Sequence, residues 1–117
     1  MTLSTSELLQ SNLLAVFSQR DAAARHTALH TLWSPDGVFI DPNGRYAGLD
    51  AIERRVAELQ ATYPDFEFSV RQPAQQLDGV GRLAWAYGPP GKRSAVTGID
   101  IAVTADGVLQ ALYAFVD

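Results

Sequence analysis

The dominant hydrophobic period of this chain changes at Tyr63-Pro64-Asp65. Before that point, one short alternating stretch at Val38 to Asp41 apart, apolar residues recur at helical spacing; after it they alternate. Ser6 and Glu7 open a first helical segment carrying Leu9, Leu13, Val16 and Phe17, with Leu8 and Leu14 widening the stripe. It stops near Ser18-Gln19-Arg20, and Asp21 is placed to cap a second helix running from Ala22 through Trp33, with Leu29, Leu32 and Trp33 as its apolar side. Ser34-Pro35-Asp36-Gly37 ends that helix. A short strand, Val38 to Asp41, follows and turns at Pro42-Asn43-Gly44. The third helix starts near Leu49, with Asp50 as its expected N-cap, Ile52, Val56 and Leu59 on its apolar face, and Glu53, Arg54, Arg55 and Glu58 on the others.

From Phe66 onward the pattern predicts strands. Phe66, Phe68 and Val70 share one face, as do Leu83, Trp85 and Tyr87 in the next strand, after the Asp78-Gly79 turn. Gly88-Pro89-Pro90-Gly91 turns into a long strand, Ser94 to Thr104, and Ala105-Asp106-Gly107 turns into a last one, Val108 to Val116. Three helices around one short strand, then a four-strand antiparallel meander, describe a single α+β domain over residues 1–117, with a curved sheet wrapped around the helices to form a cone with an internal apolar pocket.

Several function classes are excluded by composition. No cysteine is present, so disulfides and thiolate chemistry are out. The net charge is −4, with the basic residues scattered, which argues against nucleic acid. No apolar run is long enough for a membrane, and Met1 to Glu7 lacks the basic-then-apolar order of a signal peptide, so a cytoplasmic location is expected. Neither a phosphate-binding glycine loop nor a nucleophile elbow occurs, and no cofactor is expected. His26 and His30 lie four apart on one helix face, but no Glu between them and no Cys completes a metal motif, so no metal is expected either.

Two acids stand out. Asp41 shares a strand face with Phe39, and Asp100 shares one with Val96, Gly98 and Ala102, whereas Ile99, Ile101 and Val103 point the other way. Taken alone, Asp41 caps the Asn43-Gly44 turn and Asp100 pairs with Arg82 or Arg93; the opposed reading puts both acids in a pocket with shifted pKa values.

The run Trp33-Ser34-Pro35-Asp36-Gly37-Val38-Phe39-Ile40-Asp41-Pro42, then Gly48-Leu49-Asp50-Ala51-Ile52, then a strand meander, resembles the SnoaL-like branch of the nuclear-transport-factor-2-like (cystatin-like α+β) superfamily. In part it is also similar to ketosteroid isomerase. That resemblance implies a base at Asp41 and a protonated, donating acid at Asp100. The isomerase's helix tyrosine falls about where Leu13 or Phe17 stands, and residues 1–37 contain no Tyr, which leaves His26, His30, Tyr87 or Tyr113 to substitute. The implied chemistry is cofactor-independent acid–base work, namely isomerisation, aldol-type cyclisation or epoxide hydrolysis, on a small hydrophobic ligand. His30, Trp33, Phe39, Tyr63, Phe68, Trp85, Tyr87 and Tyr113 are the expected binding residues, and the Ile99/Ile101/Val103 face is the expected surface of a homodimer. A ligand carrier or a dimerisation module of the same fold is the alternative.

Overall fold

The computed structural model describes residues 2–117; Met1, the first residue of the domain bounds expected above, lies outside them. Helix α1 (Thr5–Ser11) opens on Ser4, whose hydroxyl accepts from the Glu7 N–H while the Glu7 carboxylate accepts from the Ser4 N–H. It runs directly into a π-helical turn, Asn12–Phe17, closed by the Ser18 N–H donating to the Leu13 carbonyl at 2.9 Å. That wider turn brings Leu13, Val16 and Phe17 all inward, whereas Leu14 is left exposed. Asp21 caps α2 (Ala22–Leu32) as expected, accepting from the Ala24 N–H at 3.0 Å.

Helix α3 (Leu49–Thr62) starts at Leu49 as expected, but Asp50 is not its cap. Its N-cap is Gly48, at φ 86°, a conformation open to glycine, and Asp50 lies in the first turn instead. The reason is local: the Gly48 N–H donates to the Gly37 carbonyl at 2.8 Å, which fixes the chain before Asp50 is reached.

The sheet comprises β1 (Trp33–Asp41), β2 (Gly44–Ala47), β3 (Glu67–Val70), β4 (Gln75–Leu77), β5 (Val80–Gly88), β6 (Val96–Ala105) and β7 (Val108–Val116). Its order is β2-β1-β7-β6-β5-β3, with β4 added beside β5, so the curved sheet has two ends and does not close. The expected α+β class stands, with three helices on a curved sheet. The sheet is mixed, however, because β1 runs parallel to β7 while every other pair is antiparallel. Trp33 begins β1 and does not end α2, and the Ser34–Gly37 segment is a bulge within the strand, since Trp33 pairs with Leu109 and Val38 with Ala111.

Register determines the inner face. Phe39 lies beside Leu112, Leu112 beside Ala102, and Ala102 beside Gly81. On Gly81 a Cβ would come within 2.6 Å of Thr5 Cγ2 and 2.9 Å of Leu9 Cδ1, so α1 rests directly on the sheet there. Leu9, Leu13, Val16, Ile52 and Val56 complete one core with these strands. No helix among the described residues is long and apolar enough to cross a membrane.

A buried polar network ties the end of the π-turn to α3. Gln60 Nε2 donates to the carbonyls of Phe17 and Gln19, and Gln60 Oε1 accepts from Arg25 Nη1 at 2.9 Å. Arg20 reaches past it to the carbonyls of Gln60, Tyr63 and Phe66. Replacing Gln60 by Leu removes the acceptor of a buried guanidinium and the donor of two carbonyls. We expect Gln60→Leu to cost about 3 kcal/mol in urea unfolding; a loss under about 0.5 kcal/mol contradicts the network's role.

Candidate functional site

Between the π-turn, α3 and the concave strands lies a cavity of about 410 Å³, within the range of small-molecule sites. Its walls are mostly aromatic and aliphatic. Phe68 stacks on Tyr87 with centroids 4.0 Å apart and meets Trp85 edge-on at 5.4 Å, while Phe17 meets Phe39 edge-on at 5.0 Å. Burial also pushes the Tyr87 phenol pKa up.

Two carboxyl groups border this apolar space, and they are held in opposite ways. Asp100 comes from the middle of β6, opposite Leu83 on one side and Ala114 on the other. It is 5% exposed, and its Oδ1 accepts from Trp85 Nε1 at 2.9 Å. Arg93 is engaged with Glu67 at 3.1 Å, and Arg82 lies level with outward-facing Ile101, so neither forms the ion pair considered for Asp100. Burial, only partly offset by the indole hydrogen bond, pushes its pKa up to about 7. Gly98 makes this arrangement fit: a Cβ there would lie 2.4 Å from Trp85 Cζ2, so the indole occupies the space that the missing side chain leaves.

Asp41 ends β1 and is ion-paired. Its Oδ2 accepts from Arg55 Nε at 2.7 Å, and its Oδ1 accepts from the Asn43 N–H at 2.8 Å across the turn. Both side chains are largely buried, at 6% exposure for Asp41 and 11% for Arg55. The guanidinium also sits 5.6 Å from the Tyr46 ring centroid. The turn-capping role considered for Asp41 is present, and an ion pair is added to it.

Of the sequence-predicted positions, Phe39, Asp41, Tyr63, Phe68, Trp85, Tyr87 and Asp100 border one cavity. Three do not, and their expected placement is corrected. His30 is exposed, because α2 packs through Arg25, Leu29 and Leu32. Trp33 is buried beneath the sheet, where its Nε1 donates to Asn12 Oδ1 at 2.8 Å. Tyr113 faces outward beside Ile101, since a bulge in β7, where Thr104 pairs with Leu109 and Val103 with Ala111, shifts the alternation.

Arg55 was missed by the sequence reading, which assigned it to the polar faces. A signal was available: it lies three residues after Ile52 and four before Leu59, on the same helical side. Asn12 had a comparable one, a polar residue three after Leu9 and four before Val16.

The chain matches the family model described as the SnoaL-like domain over residues 11–111. It belongs to that family. Among solved structures, this SnoaL-like domain is similar to a candidate isomerase of the SnoaL-like family from Agrobacterium tumefaciens, at TM-score 0.87 and 18% identity over 94% of each chain. It is also similar to a candidate polyketide cyclase from Sinorhizobium meliloti, at TM-score 0.74 and 18% identity over 92% of each chain. A third is a Catenulispora acidiphila protein of ketosteroid isomerase-like fold, in complex with trimethylamine, at TM-score 0.76 and 18% identity, covering 96% of this chain and 86% of that one. At these identities the likeness establishes the fold alone. No curated protein matches the chain.

The raised pKa of Asp100 links to stability with a definite sign. Between the unfolded value of 3.8 and the folded value of about 7 the folded state keeps a proton that the unfolded state loses. Stability therefore falls as pH rises through that window. Relative to Asp100→Asn, the wild-type domain should lose on the order of a few kcal/mol between about pH 4 and about pH 8. Urea unfolding across pH measures the difference, and parallel curves for the two proteins contradict the burial of an ionising acid.

Proposed function

We propose that this domain is a cofactor-independent enzyme performing acid–base chemistry on a small hydrophobic molecule in the cavity, with Asp100 taking and returning the proton. One observation carries the reading: a carboxyl buried in an apolar cavity, held through one oxygen by an indole N–H, with its pKa near working pH. Trp85 fixes Oδ1, so Oδ2 is the atom assigned to proton transfer. Isomerisation, aldol-type cyclisation and epoxide opening all need such a group, and the relatives described as candidate isomerase and cyclase support the class.

The base that the sequence reading gave to Asp41 passes to Asp100 in this mechanism. Bonds on both Asp41 oxygens support a holding role, with the Arg55 guanidinium as the positive pole of the cavity. Arg55 gives Nε to Asp41 and holds Nη1 3.9 Å from Glu58, which leaves Nη2 as the group assigned to a developing enolate or alkoxide oxygen. When Asp100 removes a proton from the carbon beside a carbonyl, negative charge moves to the carbonyl oxygen, where a fixed cation lowers its energy. The protonated Asp100 then returns the proton to a second carbon in isomerisation, or to the alkoxide oxygen formed by ring closure in the aldol-type reaction.

The test is proton exchange at carbon in heavy water, followed by NMR over a panel of hydrophobic ketones, with epoxide opening run in parallel. Asp100→Asn should lower the rate ~10²- to 10⁴-fold, and kcat/KM should rise with pH through about 7 as the base ionises. An unchanged rate in Asp100→Asn overturns the assignment. Ligand binding without turnover by the wild-type protein favours the carrier alternative.

The outer sheet face supports assembly of two copies. Ile99, Ile101, Val103, Tyr113 and Phe115 lie together there, with Phe115 62% exposed. Ile101→Lys should convert a dimer to monomer in sedimentation velocity; a variant that keeps the wild-type mass removes this face as the interface.

A further inference from the structure

Outside the cavity, two helices bring three metal-binding side chains together on the surface. His26 and His30 lie one turn apart on α2, with ring centroids 4.2 Å from each other, and Glu53 approaches them from α3. His26 Nδ1 is 2.9 Å from Glu53 Oε1 and 3.2 Å from Oε2. One donor atom from each of the three residues falls within 4.8 Å of the others. The His26–Glu53 ion pair explains the position of two of these groups. It does not explain His30, whose imidazole stands beside His26 and makes no hydrogen bond of its own among the described residues.

We propose that His26, His30 and Glu53 form a binding site for a borderline first-row divalent cation of the zinc class. Two imidazoles and a carboxylate are a donor set that zinc accepts, at metal–ligand distances of about 2.0–2.2 Å. Tetrahedral donors at that range lie about 3.3 Å apart, so the three groups close on a cation by small rotations of exposed side chains. Magnesium and calcium prefer all-oxygen shells and are poor fits. On binding, His26 ligates through an unprotonated ring nitrogen and keeps its N–H on the other, so the cation takes the place of the His26–Glu53 hydrogen bond. Water completes the coordination, because the site is open: the His26 side chain is 56% exposed.

The consequence is a cross-link between α2 and α3. These helices are also joined through the buried Arg25–Gln60 contact, about two turns farther along α3. A cation that binds the folded chain alone raises the melting temperature, and the rise follows the logarithm of its concentration once that exceeds the dissociation constant. Glu53 and the cavity residue Arg55 ride on the same helix, so the cross-link stiffens a wall of the cavity without entering it.

Calorimetric titration of untagged protein with zinc, and its melting temperature with and without zinc, test the site. Wild-type protein should bind one equivalent per chain and melt at a higher temperature when loaded. His30→Gln leaves the His26–Glu53 pair intact, so its zinc-free melting temperature should match wild type while its zinc affinity falls by about tenfold or more. Glu53→Gln should weaken zinc similarly, and magnesium should produce no shift in any of the proteins. The proposal is overturned by the absence of saturable binding up to millimolar zinc, or by equal zinc affinity in wild type and His30→Gln.

Discussion

The hydrogen bond from the Trp85 indole to the Asp100 carboxyl organises the cavity. An acid brought into apolar surroundings either keeps its proton or acquires a counter-charge. Asp100 takes the first course, since a neutral donor gives it only partial relief from burial. Asp41, at another part of the same cavity, takes the second and is matched to Arg55. One apolar chamber thus holds a carboxyl that changes charge near neutrality and a fixed ion pair. The distinction is chemical in origin but topological in cause: Asp100 sits in mid-strand, between Leu83 and Ala114, where no long cationic side chain shares its face, whereas Asp41 sits at a strand end within reach of α3.

Around this chamber other polar side chains, buried at Asn12 and Gln60 and exposed at Arg20, act as fasteners. Asn12 accepts the Trp33 indole, Gln60 spans Phe17, Gln19 and Arg25, and Arg20 gathers three carbonyls at the end of α3. Each joins segments far apart in the chain, and each lies behind the wall and not inside it. The cavity lining can therefore remain mostly aromatic while the helices that form it are held by directed bonds. Helix α3 is the common member, with Ile52 and Val56 in the core, Arg55 at the cavity and Gln60 in the network.

Much of this was legible in the residues. Helical spacing located all three helices, Asp21 as a cap was readable from residue type, and alternation placed Asp100 and Ile101 on opposite faces of β6. The misplacements arise where a non-local pairing or an irregularity changed the phase. Tyr113 was turned outward by a bulge that only the β6–β7 register reveals. Trp33 was drawn from helix into strand by pairing with Leu109, near the other end of the chain. Asp50 lost the capping position to Gly48 because of a hydrogen bond to Gly37. Arg55 was discounted because a charged side chain on an amphipathic helix usually meets water; what kept it inside was Asp41, fourteen positions earlier, which helix periodicity alone does not bring into view.

The parallel pairing of β1 with β7 sets an order of assembly. Phe39 and Leu112 are neighbours in the sheet but far apart in the chain, so their meeting closes a long loop that contains β2, α3 and the strands β3 to β6. Hairpins such as β5–β6 and β6–β7 need only short loops and form early by comparison. Until β7 is available, β1 has only its short partner β2, and the helices that flank it lack the far side of their core. In this SnoaL-like domain the pairing of β1 with β7 is thus the contact with the greatest loop to close, the one that topology makes slower than the hairpins, so its first strand waits for its last.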